Sequence, residues 1–200
     1  QEKIVTIETE RELYLNKMPE RHWQVQDLQY IPPQSAGADS AAGFTLDQCF
    51  MLAVRSSAQR ILFAEIRGPE GPVAFKAMEA GRGSMSTIHA RSADHTIRRL
   101  AIVLMSEEGL TDDTVPMNRI GDSLDLILYI SELENPDGTR RRVVTEVAEV
   151  RPNDQGLPMA SKLFKYDPNI KDWTNPEDPS PQLDGPLRRA GYDWEKEIRG

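Results

Sequence analysis

Three titratable residues each stand directly after a short, buried apolar run. The residues are Glu8, Glu65 and His89, and the runs before them are 4–7, 61–64 and 84–88. In an open parallel sheet, ligands bind in the crevice outside the carboxyl ends of the strands. If the three strands are parallel and adjacent, these side chains therefore open onto one crevice.

The residue types in this group suit phosphate chemistry. Two carboxylates, Glu8 and Glu65, can hold Mg²⁺ through waters and can orient or deprotonate a nucleophilic water. Arg67 lies two residues beyond Glu65 and can neutralise phosphate charge. His89 can hydrogen-bond a γ-phosphate and so report whether that phosphate is present.

Each of these residues also has an ordinary structural interpretation. A glutamate after a strand is often a solvated loop residue, and a single histidine at a strand end is more often structural than catalytic. The other two histidines, His22 and His95, are interpreted as surface residues. The pattern alone therefore indicates an α/β domain with a candidate site.

Alternating strands and helices must position the group. The predicted strands are 4–8, 61–65 and 84–88; the predicted helices are 46–59, 72–80, a helix running from its cap at Ser92 to Gly109, and 115–122. Thr45 and Gln48 have the spacing of a capping box. The polar segment 16–43, with Pro32 and Pro33, is expected to be irregular.

The pattern changes after residue 123. Apolar residues then alternate, and a turn signal at 135–138 predicts a β-hairpin over 124–150. A further strand is predicted at 163–166. From 167 onward prolines and acids dominate, which predicts an extended tail with one amphipathic segment at 183–190. We therefore expect a domain over 1–150 and a Pro-rich acidic tail over 151–200.

Composition narrows the functional classes. The chain has 200 residues, a formal charge of −8 and one cysteine. An acidic domain gains nothing from phosphate neutralisation, so direct nucleic-acid binding is not expected. A single cysteine excludes an internal disulfide and favours a reducing cytoplasm, although a disulfide-free exported protein would have the same pattern. No apolar run approaches the roughly 18–20 residues that span a bilayer.

Three strings in order carry a resemblance to a known family. Residues 4–8 with Glu12 and Leu13 resemble the acidic box of the type II/type IV secretion ATPase superfamily. Residues 61–68 resemble its Walker B segment, and residues 83–90 resemble its histidine box. The resemblance covers 1–150 and is greatest to the branch that assembles Flp or tight-adherence pili.

The resemblance implies a RecA-like core with a mostly parallel sheet between two helical layers. It implies a hexameric cytoplasmic ATPase that uses ATP and Mg²⁺ and acts on inner-membrane platform proteins in secretion, pilus assembly or conjugative transfer. Glu65 would be the Walker B glutamate that polarises the attacking water, and Glu8 would lie near Mg²⁺. Thr87 and His89 would couple the phosphate site to the neighbouring sheet.

The sequence also departs from the family. No glycine is followed by lysine, so the phosphate-binding loop is absent from these residues. Gln59 stands six residues before Glu65, where the family usually has aspartate. The family's arginines after the acidic box have no counterpart in 24–29. With no initiator Met, the chain is expected to be the C-terminal part of such an ATPase, without the first strand of the sheet.

Two functional classes remain open. The first is a motor ATPase whose C-terminal part is seen here and is inactive alone. The second is an interaction module of the same assembly that is defective in nucleotide binding. The presence of Glu8, Glu65 and His89 together favours the motor. An unrelated hydrolase or transferase is disfavoured because no G-x-S-x-G or Cys/His arrangement occurs.

The missing loop generates a first prediction. Residues 1–200 alone should not bind ATP measurably, because the backbone N–H cradle and lysine of that loop supply phosphate affinity. Isothermal titration with Mg-ATP is the measurement, and micromolar binding by this chain would contradict the prediction.

Overall fold

The computed structural model describes residues 2–18, 20, 24–30, 45–80, 83–135 and 137–199. The chain divides into two compact units. Unit 1 is 1–89 with 102–113, and unit 2 is 90–101 with 114–200. This division differs from the one expected at residue 150, because a strand of unit 2 runs through that residue to Pro152.

Unit 1 contains a parallel four-stranded sheet. Its strands are β1 (Ile4–Glu8), β2 (Val25–Gln29), β3 (Arg60–Glu65) and β4 (Ser84–Thr87), in the order β2-β1-β3-β4. Every adjacent pair is parallel. The structure therefore confirms the α/β prediction, including the parallel arrangement of the three predicted strands.

The strand β2 lies within 16–43, which was predicted to be irregular, and that prediction was wrong there. Val25 and Leu28 are its only apolar residues, so its side chains give little strand signal. The Thr6 hydroxyl of β1 donates to Asp27, 3.1 Å away. Backbone pairing with the buried β1, rather than intrinsic propensity, decides its conformation. The rest of the segment holds a short 3-10 turn, Leu15–Lys17, and residues 31–44 lie outside the described residues.

Two helices of unit 1 are α1 (Leu46–Arg55) and α2 (Glu70–Glu79). The predicted capping box is confirmed, since the Gln48 backbone N–H donates to the Thr45 hydroxyl and the Thr45 N–H donates to the Gln48 side chain. Helix α1 ends four residues before its predicted end because Ser57 adopts a left-handed φ of 57°. The predicted closing residue of α2, Gly81, lies outside the described residues.

Two helices precede the sheet of unit 2. Helix α3 (Ala93–Glu108) has its first nine residues in unit 2, and α4 is Thr114–Ser123. The cap predicted at Ser92 is confirmed by the His95 backbone N–H, which donates to the Ser92 hydroxyl over 3.1 Å. Gly109 follows α3 with a φ of 65°, as its position at the helix end predicted.

The sheet of unit 2 is antiparallel. Its strands are β5 (Leu126–Glu134), β6 (Arg140–Pro152), β7 (Pro158–Asp167) and β8 (Asp172–Thr174), in sequence order. The predicted hairpin is confirmed, and Gly138 in its turn has a φ of 79°. Pro136 lies outside the described residues.

The region after 167 is not an extended tail, so that part of the prediction was wrong, whereas the amphipathic segment predicted at 183–190 coincides with a helix. It forms β8 and two helices, α5 (Pro181–Arg189) and α6 (Trp194–Arg199). Trp194 is only 5% exposed, and its ring lies 5.1 Å from that of Phe164 on β7. Proline and acid content predicted an extended tail. The contact that overrides it gives no local signal, because Phe164 is distant from Trp194 in sequence.

Two carboxylates, one of them buried, also hold this C-terminal segment. Glu149 on β6 is buried and accepts hydrogen bonds from the backbone N–H of Ser180, 2.9 Å away, and from its hydroxyl. Glu177 accepts from the hydroxyl of the buried Ser161 and from the Arg151 guanidinium. The polar residues of 175–180 thus satisfy groups that the sheet would otherwise bury unpaired.

Among the helices of the described residues, none has the length and apolarity that a bilayer crossing demands.

The packing of α6 can be tested by truncating its aromatic anchor. Trp194→Ala should lower the free energy of unfolding of unit 2 by about 3 kcal/mol, because it leaves a cavity beside Phe164. Urea denaturation followed by circular dichroism measures the change. Tyr192→Ala, at an exposed position in the same segment, is the matched control and should cost far less. Equal effects of the two substitutions would show that α6 is not anchored by Trp194.

Candidate functional site

The parallel sheet brings the predicted site residues to one edge. Glu8 ends β1, and Glu65 ends the adjacent strand β3. On the other side of β3, Thr87 at the end of β4 is paired in register with Glu65. His89 follows two residues later. The carboxyl ends of the strands therefore meet at one edge, but of Glu8, Glu65 and His89 only Glu65 lines the crevice there.

Glu65 lies between a guanidinium and an imidazole. Its Oε2 is 2.5 Å from Nη2 of Arg67, and its Oε1 is 3.3 Å from Nε2 of His89. The Glu65 side chain is 15% exposed, whereas that of Arg67 is 69% exposed and that of His89 is 93% exposed. The nearly buried carboxylate of Glu65 thus lies next to two side chains that solvent or a ligand can reach.

These neighbours keep Glu65 ionised. The hydrogen bond from Arg67 lowers the pKa of Glu65 below its ordinary value, and the charges of Arg67 and His89 lower it further against the opposing effect of burial. The same pair raises the pKa of Arg67. At neutral pH Glu65 is therefore a carboxylate, the form that can polarise or deprotonate a water.

One oxygen of Glu65 has no hydrogen-bond donor among the described residues. Its Oε1 is buried and unpaired, although His89 is within ion-pair distance, because that contact does not have hydrogen-bond geometry. A 3.3 Å separation without that alignment contributes little. A buried unpaired acceptor requires a partner such as a water or a ligand group.

Thr87 stabilises the backbone on both sides of Glu65. Its hydroxyl donates to the Ala64 carbonyl oxygen over 2.6 Å, and its own carbonyl accepts the Ile66 backbone N–H over 2.8 Å. These bonds flank Glu65 and fix the backbone at the end of β3. The pairing of β3 with β4 also shifts register between Leu62 and Glu65. Such a shift changes the direction of the side chains at the end of β3.

Glu8 occupies a different environment from Glu65. Its side chain is 3% exposed, and its Oε2 accepts the backbone N–H groups of Glu12, 2.7 Å away, and Leu13, 3.0 Å away. Its carboxylate is thus already hydrogen-bonded to the backbone of the same chain. The expected proximity of Glu8 to Mg²⁺ does not fit this burial.

A crevice at this edge is lined mainly by acidic residues. The lining residues are Thr9, Glu10, Glu12, Ala64, Glu65, Arg67 and Glu70. Sequence reasoning missed Glu10, Glu12 and Glu70 as site residues. The signal that could have found the first two is the recurrence of glutamate at every second position after Glu8. Glu12 and Glu10 also contribute to the raised pKa of Arg67.

The crevice fits only part of a Mg-nucleotide site. No group of three or more His, Cys, Asp or Glu side chains in the described ranges is arranged to hold a metal by itself. Mg²⁺ in nucleotide sites is usually held by one or two carboxylates together with the substrate phosphates. The acidic lining and the unpaired Glu65 oxygen fit that role, whereas the sequence contains no Gly-Lys pair to cradle the phosphates.

The family model described as type II/IV secretion system protein matches residues 1–132. The chain is also similar to the type IV secretion system protein PtlH of Bordetella pertussis, with 33% identity over 147 residues, covering 72% of this chain and 41% of PtlH. This chain belongs to the type II/IV secretion system ATPase superfamily.

Solved structures agree with this assignment. The VirB11 ATPase of the Brucella suis type IV secretion system, in complex with sulphate, matches with a TM-score of 0.55 and 26% identity, over 74% of this chain and 40% of VirB11. The Legionella pneumophila ATPase DotB matches with a TM-score of 0.53 and 17% identity, over 77% of this chain and 38% of DotB, which shows the fold alone. The predicted RecA-like core is thereby confirmed. The chain spans about 41% of the length of PtlH.

The ion pair between Arg67 and Glu65 predicts a measurable change in the titration of the Glu65 carboxyl group. Arg67→Gln should raise the pKa of Glu65 towards its ordinary value, because the largest cause of its lowering is the bond from Arg67. The pair stabilises the fold above the unfolded-state pKa of a glutamate, and that contribution is lost as the pH falls through the lower folded-state pKa. Carboxyl-carbon NMR titration of Glu65 is the measurement.

The matched control for this titration is Arg60→Gln. Arg60 begins the same strand and pairs with Glu2, whose pKa it lowers. The control should therefore raise the pKa of Glu2 and leave that of Glu65 in place. An unchanged Glu65 titration in Arg67→Gln would show that the Arg67 contact does not control this carboxyl.

Proposed function

We propose that this chain is the C-terminal part of a hexameric motor ATPase that hydrolyses ATP to drive protein secretion, pilus assembly or conjugative transfer. The motor acts at the cytoplasmic face of the inner membrane on the platform proteins of its system. Membership of the secretion ATPase superfamily supports this proposal. The strings at 4–8, 61–68 and 83–90 favour the Flp or tight-adherence pilus branch.

The observation that carries the proposal is the environment of Glu65. Its carboxylate is held ionised by Arg67 at the carboxyl end of a central parallel strand, and one of its oxygens has no hydrogen-bond partner in the described structure. A water placed against that oxygen would be polarised for attack on a phosphate. This arrangement suits the Walker B role better than a purely structural one, which would satisfy both oxygens.

The surrounding residues suit a phosphate group that approaches from solvent. Arg67 and His89 are exposed and already oriented around Glu65, so they can meet a γ-phosphate with little rearrangement. Thr87 holds the backbone beneath them. The related VirB11 structure contains sulphate, an anion of phosphate-like shape and charge. Mg²⁺, when bound, would neutralise phosphate charge beside the carboxylates of the crevice.

A second function is favoured by one specific observation. The sequence has no Gly-Lys pair and therefore no phosphate-binding loop. A chain that acts without such a loop would be an interaction module of the same assembly, with no nucleotide binding of its own. The two proposals differ in whether the full-length protein contains the loop and turns over ATP.

The test of the motor proposal is Glu65→Gln in the full-length protein. Hydrolysis should fall by about 10²–10⁴-fold, since glutamine keeps the size of the side chain but cannot carry the negative charge that activates water. ATP binding should persist, because Glu65 is not a phosphate-binding group. Steady-state phosphate release and nucleotide titration measure the two properties.

The matched control for Glu65→Gln is Glu2→Gln. Glu2 is an exposed glutamate paired with Arg60 at the opposite end of the same strand pair. It should leave turnover unchanged. Turnover of the Glu65→Gln protein within about threefold of wild type would remove the Walker B assignment and leave the interaction module in its place.

A further inference from the structure

We propose that Glu8 is a positioning residue that holds the loop 9–13 against the crevice. Under this proposal it does not take part in binding Mg²⁺. The catalytic consequence of this role rests on the proposed ATPase function. The loop-holding contacts themselves do not depend on it.

The contacts converge on one oxygen atom. Oε2 of Glu8 accepts two backbone N–H groups, from Glu12 at 2.7 Å and from Leu13 at 3.0 Å. Hydrogen bonds to an ionised carboxylate are shorter and stronger than those between neutral groups. Two of them from consecutive residues fix both the position and the direction of the loop backbone.

The loop has few other backbone constraints. After β1 ends at Glu8, the chain bends at residues 9–10 and then runs without helix or strand to Tyr14. The backbone carbonyl of Glu8 is held separately, since it accepts the Tyr30 N–H over 2.8 Å. The main chain of Glu8 is therefore tied to the sheet while its side chain ties down the loop.

The held loop forms one side of the crevice. Thr9, Glu10 and Glu12 line it together with Glu65 and Arg67. The carboxylates of Glu10 and Glu12 act on the guanidinium of Arg67, whose pKa they help to raise. Releasing the loop would therefore move two charges away from the arginine that keeps Glu65 ionised.

The same geometry argues against a metal role for Glu8. Its side chain is 3% exposed and is absent from the crevice lining. Mg²⁺ demands near-octahedral ligands at 2.0–2.1 Å and retains several waters. Direct coordination of Mg²⁺ by Oε2 would displace the two backbone donors. The glutamates at positions 10 and 12 are exposed at the crevice and lack that conflict.

Amide hydrogen exchange on this 200-residue chain tests the loop-holding role directly. In Glu8→Ala the amides of Glu12 and Leu13 should exchange at least about tenfold faster, the expected effect of losing a bond to a charged group. Glu8→Gln retains an acceptor oxygen and should stay within about threefold of wild type. The Tyr30 and Ile66 amides report the integrity of the sheet and should not change.

Glu10→Ala is the matched control for the exchange measurement. It removes the same charge two residues along the chain without removing the acceptor for these two amides. Unchanged exchange of Glu12 and Leu13 in Glu8→Ala would overturn the proposal. If that variant does not fold, scalar couplings across the two hydrogen bonds in the wild-type chain decide instead, and their absence would overturn it.

The metal alternative is tested in the full-length ATPase. The apparent Mg²⁺ concentration for half-maximal turnover should be the same in wild type and Glu8→Gln, while Glu8→Ala should have a lower kcat that glutamine restores. A requirement for about tenfold more Mg²⁺ in Glu8→Gln, with Glu12 and Leu13 still protected, would overturn the proposal. A wild-type protein without turnover would remove the proposed ATPase function, and the exchange result alone would then decide the role of Glu8.

Discussion

The parallel pairing of β1 with β3 is the constraint on which the site depends. Ile4 pairs with Arg60 and Ile7 with Phe63, so both strands run in one register to the same edge. Val5, Ile7, Ile61 and Phe63 are buried, and their apolar contact fixes that register. Because the strands are parallel, Glu8 and Glu65 reach the same edge although 57 positions separate them in the numbering.

Burial then gives these two glutamates different chemistry. Glu65 keeps its buried Oε1 unpaired, and its other oxygen pairs with the exposed guanidinium of Arg67. Glu8 is buried, and its carboxylate accepts hydrogen bonds from two backbone N–H groups. Unit 2 uses a buried carboxylate in the same way, since Glu149 accepts the backbone N–H of Ser180 and orders the segment after β8. A carboxylate that accepts backbone donors holds a loop, whereas one left partly unpaired can still accept a hydrogen bond from a water or a ligand.

Elements with a strong local signal were predictable. The capping box at Thr45, the hairpin with Gly138 in its turn and the helix beginning after Ser92 all follow from contacts within a few residues. The strand β2 and the helix α6 were not, because their stabilising partners lie far along the chain. Val25–Gln29 is extended because β1 pairs with it, and Trp194 is buried because Phe164 lies on β7.

The sequence by itself determined the family and the group of residues around Glu65, since residue types and their order after apolar runs are local properties. It also determined the absence of a Gly-Lys pair, and with it the absence of a phosphate-binding loop from these residues. Only the tertiary structure decided which oxygen of which glutamate is free. Hydrogen-bond satisfaction depends on where the loop 9–13 folds relative to β1, and that position is set by packing and backbone donors that residue types do not encode locally.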